Sequence, residues 1–219
     1  MIRPLEAELR AGLDVLALVL NDAQVAALLD YIALIQKWTK VYNLTAVREP
    51  RDMLTHHVLD SLAVVGPLRQ QLQALGLGPA VRVLDVGAGA GLPGVVFAVC
   101  EPAMTIHCVD TVAKKAAFVQ QAAASLKLAN LRGIHARVES VTEPYDVVCS
   151  RAFASLADFT RWSALALAPA GVWMAMKGKH PDAELAALAA NVVVFHVEPL
   201  QVPGLDAQRC LVWMRRGVT

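Results

Sequence analysis

Hydrophobic residues recur at helical spacing along the first third of the chain. A first helix is predicted over residues 4–20, and a second helix begins at the cap Asn21-Asp22. A third helix is predicted from Glu49-Pro50 to Gly66-Pro67, and no strand pattern interrupts the region. We therefore predict that residues 1–75 form a helical extension packed on the rest of the protein.

Residues 76–219 alternate between short apolar runs and helical patterns. The predicted strands cover residues 81–86, 104–109, 131–136, 146–150, 172–176, 192–197 and 210–214. Helices are predicted between them over residues 95–99, 113–128, 156–167 and 182–190. This alternation is typical of an α/β domain built on a parallel sheet. The last two strands, joined through Pro203-Gly204, favour an antiparallel hairpin at the sheet edge.

The stretch Val81–Gly94 passes from an apolar run into alternating glycines. Gly87 and Gly89 allow a sharp turn and a close approach of the backbone to a ligand, which suits a nucleotide-like cofactor. The dinucleotide fingerprint needs a third glycine where Leu92 stands, which argues against NAD and FAD. With Asp85 in front, the run resembles the first motif of S-adenosylmethionine-dependent methyltransferases. The alternative is a glycine-rich turn that only packs a strand against a helix.

Further candidates lie where predicted strands end. Asp110 ends the second strand, close to the separation of about 20 residues at which an acidic side chain meets a nucleotide ribose. A role in capping the next helix stays open for this residue. Val138 and Glu139 follow the third strand, where an adenine would lie, and Arg151 follows the fourth, facing the crevice in which such sheets bind ligands.

Composition limits the kinds of protein that this chain can be. Its 219 residues are 56% hydrophobic, enough for a large core, and its net charge of +1 provides no overall basic field for nucleic acid. The four cysteines are scattered, which indicates a reducing compartment and no structural metal. Charges near the N-terminus exclude a signal peptide, and the longest charge-free stretch, 162–176, is too short to span a membrane. We expect a cytoplasmic protein.

Several separated stretches carry a family resemblance. They are Tyr42-Asn43-Leu44-Thr45, His57-Val58-Leu59-Asp60-Ser61, Asp85–Gly94, Ser150–Ser155, Ala175-Met176-Lys177-Gly178 and Leu200-Gln201-Val202-Pro203. Together they resemble the bacterial small-subunit ribosomal RNA guanine-N7 methyltransferases, also called the glucose-inhibited division protein B family. The resemblance covers nearly the whole chain from the second helix onward. It implies a Rossmann-like class I fold with a mostly parallel seven-stranded sheet, one antiparallel strand and an N-terminal helical extension.

The resemblance also implies a reaction and a binding site. S-adenosylmethionine would donate a methyl group to N7 of a guanosine in a loop of 16S ribosomal RNA, in the decoding region of the small ribosomal subunit. The family's cofactor contacts correspond to Gly87, Leu92, Val138, Glu139 and Arg151. The pattern of strand ends adds Gly89 and Asp110 to this set. We expect a monomer that uses no metal and binds no membrane.

The predicted chemistry needs few catalytic groups. Guanine N7 carries a lone pair and no proton, so methyl transfer depends on alignment and desolvation more than on a general base. No N/D-P-P-Y/F sequence follows the fourth strand, and Cys149 lacks the preceding proline that would indicate a covalent cytosine mechanism. His57, Lys114 and Lys177 are candidate RNA contacts, with Lys179 on the same rim. A small-molecule methyltransferase and an RNA chaperone that binds the cofactor without transferring methyl groups remain alternatives.

Overall fold

A seven-stranded sheet in the order β3-β2-β1-β4-β5-β7-β6 forms the centre of the protein. The computed structural model describes residues 2–151, 153 and 155–217. The strands are β1 Arg82–Val86, β2 Thr105–Asp110, β3 Leu131–His135, β4 Tyr145–Arg151, β5 Leu167–Lys177, β6 Val192–Leu200 and β7 Arg209–Arg216. Strands β1 to β5 pair in parallel, and β7 runs antiparallel to both of its neighbours, β5 and β6. The predicted sheet, with one antiparallel strand and a hairpin at its edge, is confirmed.

Helices cover both faces of the sheet. They are α1 Ile2–Val15, α2 Asp22–Tyr42, α3 Pro50–Met53, α4 Asp60–Leu62, α5 Val65–Ala74, α6 Gly94–Cys100, α7 Ala113–Ser125, α8 Leu156–Trp162 and α9 Asp182–Ala186. Alternate residues of β1 point to opposite faces: Val83 joins the core under the N-terminal helices, and Leu84 joins the core that contains Leu156 and Phe159 of α8. Each face therefore has its own hydrophobic cluster.

The N-terminal helices differ from the prediction at their ends. The third helix was expected to stop at Gly66-Pro67, but helical structure resumes in α5 and continues to Ala74. Pro67 lies in the first turn of α5, where a missing backbone N–H breaks no intrahelical bond. Helix α1 ends at Val15, earlier than predicted. The predicted cap of α2 is confirmed, because Asn21 accepts a hydrogen bond from the Gln24 N–H at 2.9 Å.

The N-terminal helices are anchored to the turn that follows β1. Tyr31 of α2 is fully buried, and its hydroxyl donates to the Ala90 carbonyl in that turn. Gln24 Nε2 donates to the Val99 carbonyl of α6 at 2.8 Å. Residues of α2 and of the sheet also share one hydrophobic core. The division of the chain at residue 75 stays a prediction, since the two parts are packed together.

Replacing Tyr31 by Phe tests this anchor. The variant leaves the Ala90 carbonyl buried without its donor, so we expect the free energy of unfolding to fall by about 1–3 kcal/mol. Urea denaturation measures the change. Tyr42→Phe is the matched control, because Tyr42 lies at the exposed end of the same helix. Equal effects of the two substitutions would argue against an anchoring role for the Tyr31 hydroxyl.

Candidate active site

The turn between β1 and α6 has a backbone that glycine alone adopts readily. Gly87, Gly89 and Gly91 have φ values of +68°, +59° and +83°, in the left-handed region. A Cβ on Gly91 would also lie 2.6 Å from a methyl group of Val95. The glycines thus allow a tight turn whose backbone lies against open space at the carboxyl end of the sheet.

The Asp85 side chain stabilises this turn through a hydrogen bond to the backbone of Gly94. Its buried carboxylate accepts the Gly94 N–H at 2.8 Å, which joins the end of β1 to the beginning of α6. The other oxygen is buried and has no hydrogen-bond partner among the residues that the structure describes. Burial raises the pKa of Asp85 to about 7, because the charged form is poorly solvated there. Asp85 therefore acts on the shape of the turn and does not line either cavity described below.

A cavity of about 530 Å³ opens at the carboxyl ends of β1, β4 and β5. Its wall includes predicted site residues from four parts of the chain, namely His57, Gly87, Gly89, Leu92, Arg151 and Lys177. The remaining lining residues come from the N-terminal segment up to Asp60, the glycine turn, helix α7, the end of β5 and the start of β7. Its size is within the usual range for a small-molecule site.

A second cavity, of about 220 Å³, shares Gly87 with the first. Its lining residues include the predicted Asp110, Val138 and Glu139 at the ends of β2 and β3. Phe153 and Trp162 form an aromatic wall, with ring centroids 5.5 Å apart. A planar, apolar ring system with one polar edge suits such a cavity.

Asp110 accepts two backbone hydrogen bonds, and its predicted contact with a ribose stays a prediction. One carboxylate oxygen accepts the Gly89 N–H at 3.0 Å, and the other accepts the Val112 N–H at 2.9 Å, just before α7. The Lys115 ammonium lies 3.9 Å from the first oxygen. Asp110 therefore links the glycine turn to the start of α7 and also lines the smaller cavity.

His57 lies in a π-helical turn, Leu54–Leu59, between α3 and α4. Its Nε2 is 2.9 Å from the Thr45 hydroxyl oxygen, whereas its Nδ1 is buried without a partner among the described residues. Burial, with the nearby Arg151 guanidinium, lowers the pKa of His57 to about 4. The imidazole is therefore neutral at pH 7. Wider helical turns of this kind are frequent at functional sites.

One buried carboxylate joins two arginines in the wall of the larger cavity. Asp60 Oδ2 accepts from Arg151 Nη1 at 3.1 Å, and Asp60 Oδ1 accepts from Arg209 Nε at 2.8 Å. The Arg151 Nη1 group also donates to the His56 carbonyl at 2.8 Å. The π-helical turn, β4 and β7 are thereby held together at the cavity.

Lys177 is paired as well. Its ammonium lies 2.7 Å from the Glu184 carboxylate, and the same carboxylate oxygen accepts the Leu156 N–H at 2.8 Å. Lys177 lines the larger cavity from the end of β5, with its side chain largely buried. The negative charge of Glu184 therefore partly neutralises the positive charge of Lys177 at the cavity wall.

Comparison with known proteins identifies the family. Residues 24–212 match the family described as rRNA small subunit methyltransferase G. The chain belongs to this family. It is 67% identical over 222 residues to the ribosomal RNA small subunit methyltransferase G of Albidiferax ferrireducens, and the match covers 99% of each chain. The predicted family and enzyme class are confirmed.

Solved structures of other methyltransferases share the fold of this family member. TrmN from Thermus thermophilus superposes with a TM-score of 0.56 at 17% identity, over 75% of this chain and 53% of that one. A SAM-dependent methyltransferase from Aquifex aeolicus gives a TM-score of 0.54 at 16% identity, over 71% of this chain and 92% of that one. At this identity the likeness shows the fold, and the predicted Rossmann-like class I fold is confirmed.

The predicted contact of Lys114 with RNA stays a prediction. This residue is exposed on α7 and does not line either cavity, whereas its neighbour Lys115 does line the larger one. The ligand contacts expected of the other site residues stay predictions.

Three further residues of the site were missed from the sequence: Asp60, Arg209 and Lys115. Asp60 belonged to a stretch that carried the family resemblance, but nothing marked it as a partner of residues far along the chain. Arg209 begins the antiparallel strand β7, so it reaches the same edge as the carboxyl ends of the parallel strands. The prediction considered only the carboxyl ends of strands, so it missed Arg209, which lies at the beginning of a strand.

Asp85→Asn tests the burial of the carboxyl group in this family member. The native state keeps the proton up to about pH 7, whereas an unfolded Asp releases it near pH 3.9. The unfolded state therefore binds fewer protons between these values, and the stability that Asp85 contributes falls as pH rises. We expect wild-type protein to lose more stability than Asp85→Asn between pH 4 and pH 7, in urea titrations.

The control is Asp206→Asn, at an exposed position in the β6–β7 hairpin, which should follow the wild-type pH dependence. His57 acts in the opposite direction, because its lowered pKa makes the native state lose stability as pH falls below 6.5. Since His57 is present in every variant compared, its contribution cancels. Parallel curves for wild type and Asp85→Asn would contradict the assignment.

Proposed function

We propose that the two cavities together bind S-adenosylmethionine and position N7 of a guanosine in 16S ribosomal RNA for methylation. One observation supports this proposal: the glycine turn, Asp110 and Arg151 lie together at one edge of a parallel sheet. Ligands of open α/β sheets bind in this position. Membership of the small-subunit ribosomal RNA methyltransferase family supplies the class of reaction.

The shapes and polar groups of the cavities support one orientation of the methyl donor. The aromatic wall of the smaller cavity would hold the adenine, with Val138 and Glu139 at its edge. Asp110 has further lone pairs for a ribose hydroxyl, beyond the two N–H groups that it already accepts. The methionine part would then extend past Gly87 into the larger cavity, towards Arg151.

The side chains of the larger cavity suit a reaction without proton transfer. When bound, S-adenosylmethionine supplies an electrophilic methyl group on a positively charged sulfur. Guanine N7 has a free lone pair, so the protein needs to align the base and exclude water. His57 is neutral, and Lys177 and Arg151 are held in ion pairs by Glu184 and Asp60. These groups are suited to positioning.

We further propose that the substrate is the small ribosomal subunit or an assembly intermediate, and that the protein acts as a monomer in the cytoplasm. An exposed RNA loop lets a guanosine leave its stack and present its Hoogsteen edge. None of the helices described is both long and apolar enough to cross a membrane. Within the described residues, no group of His, Cys, Asp and Glu side chains is arranged to hold a metal ion.

The reaction is tested with a labelled methyl donor. The protein is incubated with small ribosomal subunits or naked 16S RNA from a bacterial strain that lacks this methylation, or with a mixture of small metabolites. We expect label in RNA, and borohydride and aniline treatment should cleave that RNA at one guanosine. Label without cleavage would make the assigned atom wrong. Label only in metabolites would favour a small-molecule methyltransferase, and donor binding without transfer would favour an RNA chaperone.

Asp110→Ala tests the placement of the donor. Loss of a carboxylate hydrogen-bond acceptor should weaken S-adenosylmethionine binding by about 1–3 kcal/mol, as measured by calorimetry. The melting temperature should also fall, because Gly89 and Val112 lose their acceptor. An unchanged dissociation constant with a lowered melting temperature would assign Asp110 to helix capping alone.

Arg151→Ala tests positioning in the larger cavity. We expect the single-turnover rate of methyl transfer to fall by about 100-fold, since a displacement of about 1 Å in a reacting geometry has this effect. The pH profile of the rate should keep its shape, because Arg151 exchanges no proton in the reaction. A new ionisation in the profile of the variant would contradict a purely positional role.

A further inference from the structure

The larger cavity has an excess of positive charge. Four cationic side chains line it, namely Lys115, Arg151, Lys177 and Arg209. Lys177 has Glu184 as its own partner, and Lys115 lies near Asp110. Arg151 and Arg209 share the single carboxylate of Asp60, which leaves this group of three side chains with a net charge of about +1. A net positive charge beside a cavity attracts an oxyanion.

The two arginines keep donors for such an anion. A guanidinium carries five N–H groups. Arg209 uses Nε for Asp60 and Nη1 for the Gln208 carbonyl, and Arg151 uses only Nη1. In the described part of the chain, no hydrogen bond is found for Nη2 of either arginine. Both side chains are about one-quarter exposed, whereas the Asp60 side chain is 4% exposed.

Arg151 and Arg209 come from strands that lie at different distances from the glycine turn. Arg151 ends β4, which is adjacent to β1 and its glycine turn. Arg209 begins β7, which lies beyond β5, so β7 is three strands away from β1. With adjacent strands about 4.8 Å apart, this separation is about 14 Å. Arg151 is therefore near the donor end of the cavity, and Arg209 belongs to the far wall, on the side left for the substrate.

We propose that Asp60 is a positioning residue that holds Arg151 and Arg209 side by side, and that Arg209 binds a backbone phosphate of the RNA next to the target guanosine. This inference rests on the proposed function. A planar guanidinium matches the geometry of phosphate oxygens. Because Asp60 is buried and contacts each arginine through a different oxygen, it fixes both side chains while leaving donors for the RNA.

The first test compares Arg209→Ala with Arg215→Ala. Arg215 lies on the same strand, about 20 Å away, and is exposed outside the cavity. Binding of naked 16S RNA is measured over a range of salt concentrations. We expect Arg209→Ala to weaken RNA binding about tenfold and to reduce the slope of log affinity against log salt by about 1. Arg215→Ala should match wild type.

The same variants distinguish two oxyanions that Arg209 could bind: an RNA phosphate and the methionine carboxylate of the donor. If Arg209 binds RNA phosphate, Arg209→Ala should leave the dissociation constant of S-adenosylmethionine within about twofold of the wild-type value, well below the tenfold effect on RNA. Weaker donor binding with unchanged RNA binding would overturn the proposal and assign Arg209 to the methionine carboxylate. RNA affinity is measured without the donor. A wild-type protein that binds RNA but transfers no methyl group would therefore contradict the proposed function and not this site.

The second test addresses Asp60. Asp60→Asn removes no positive charge, so the salt slope should stay at the wild-type value, while the KM for RNA should rise several-fold. In the Arg209→Ala background the same substitution should have much less effect on RNA affinity, because the two residues act as a unit. Equal effects of Asp60→Asn in both backgrounds would overturn the positioning role.

Thermal unfolding and donor binding check that Asp60→Asn is folded. A further variant, Arg209→Lys, tests the proposal if Asp60→Asn fails to fold. Arg209→Lys keeps the charge but loses the planar fork and the Nε contact to Asp60. We expect it to keep the wild-type salt slope and still to weaken RNA binding. Full wild-type affinity in Arg209→Lys would show that only charge is needed there, and would overturn the role of Asp60 in holding a fixed geometry.

Discussion

The glycine turn after β1 depends on hydrogen bonds from three separate parts of the chain. Asp85 accepts from Gly94 beneath the turn, Asp110 accepts from Gly89 at its side, and Tyr31 donates to the Ala90 carbonyl from the N-terminal helices. Glycine backbones are the most costly to order, so a glycine-rich turn needs such contacts to keep one shape. The N-terminal helices thus help to support the glycine turn.

Two buried carboxyl groups, Asp85 and Asp60, have different surroundings. Burial raises the pKa of Asp85 to about 7. The buried Asp60 carboxylate contacts two guanidinium groups. A buried ion pair often contributes little net stability, because removing the two charges from water opposes their attraction. The arrangement around Asp60 is better explained by geometry, since it holds two flexible side chains in fixed positions.

The sequence predicted the parts of the site that follow from local rules. Parallel strands end at one edge of the sheet, so Gly87, Asp110 and Arg151 could be placed together from strand ends alone. The Asp60–Arg209 contact joins residues 149 positions apart, and no local pattern marks such a pair. The third helix was predicted to end at Gly66-Pro67, whereas these residues lie in the first turn of α5, because a Gly-Pro pair fits the start of a helix as well as its end.

The two halves of the larger cavity come from different parts of the fold. In the proposed binding mode, the strand ends and the glycine turn form the donor side. Thr45, His57 and Asp60 come from the N-terminal segment, and Arg209 comes from the start of β7. In that mode the N-terminal segment and the antiparallel edge of the sheet face the substrate. Because guanine N7 needs no acid or base, the proposed mode assigns selection of the RNA to these walls, whose buried contacts favour the fixed geometry that discrimination requires.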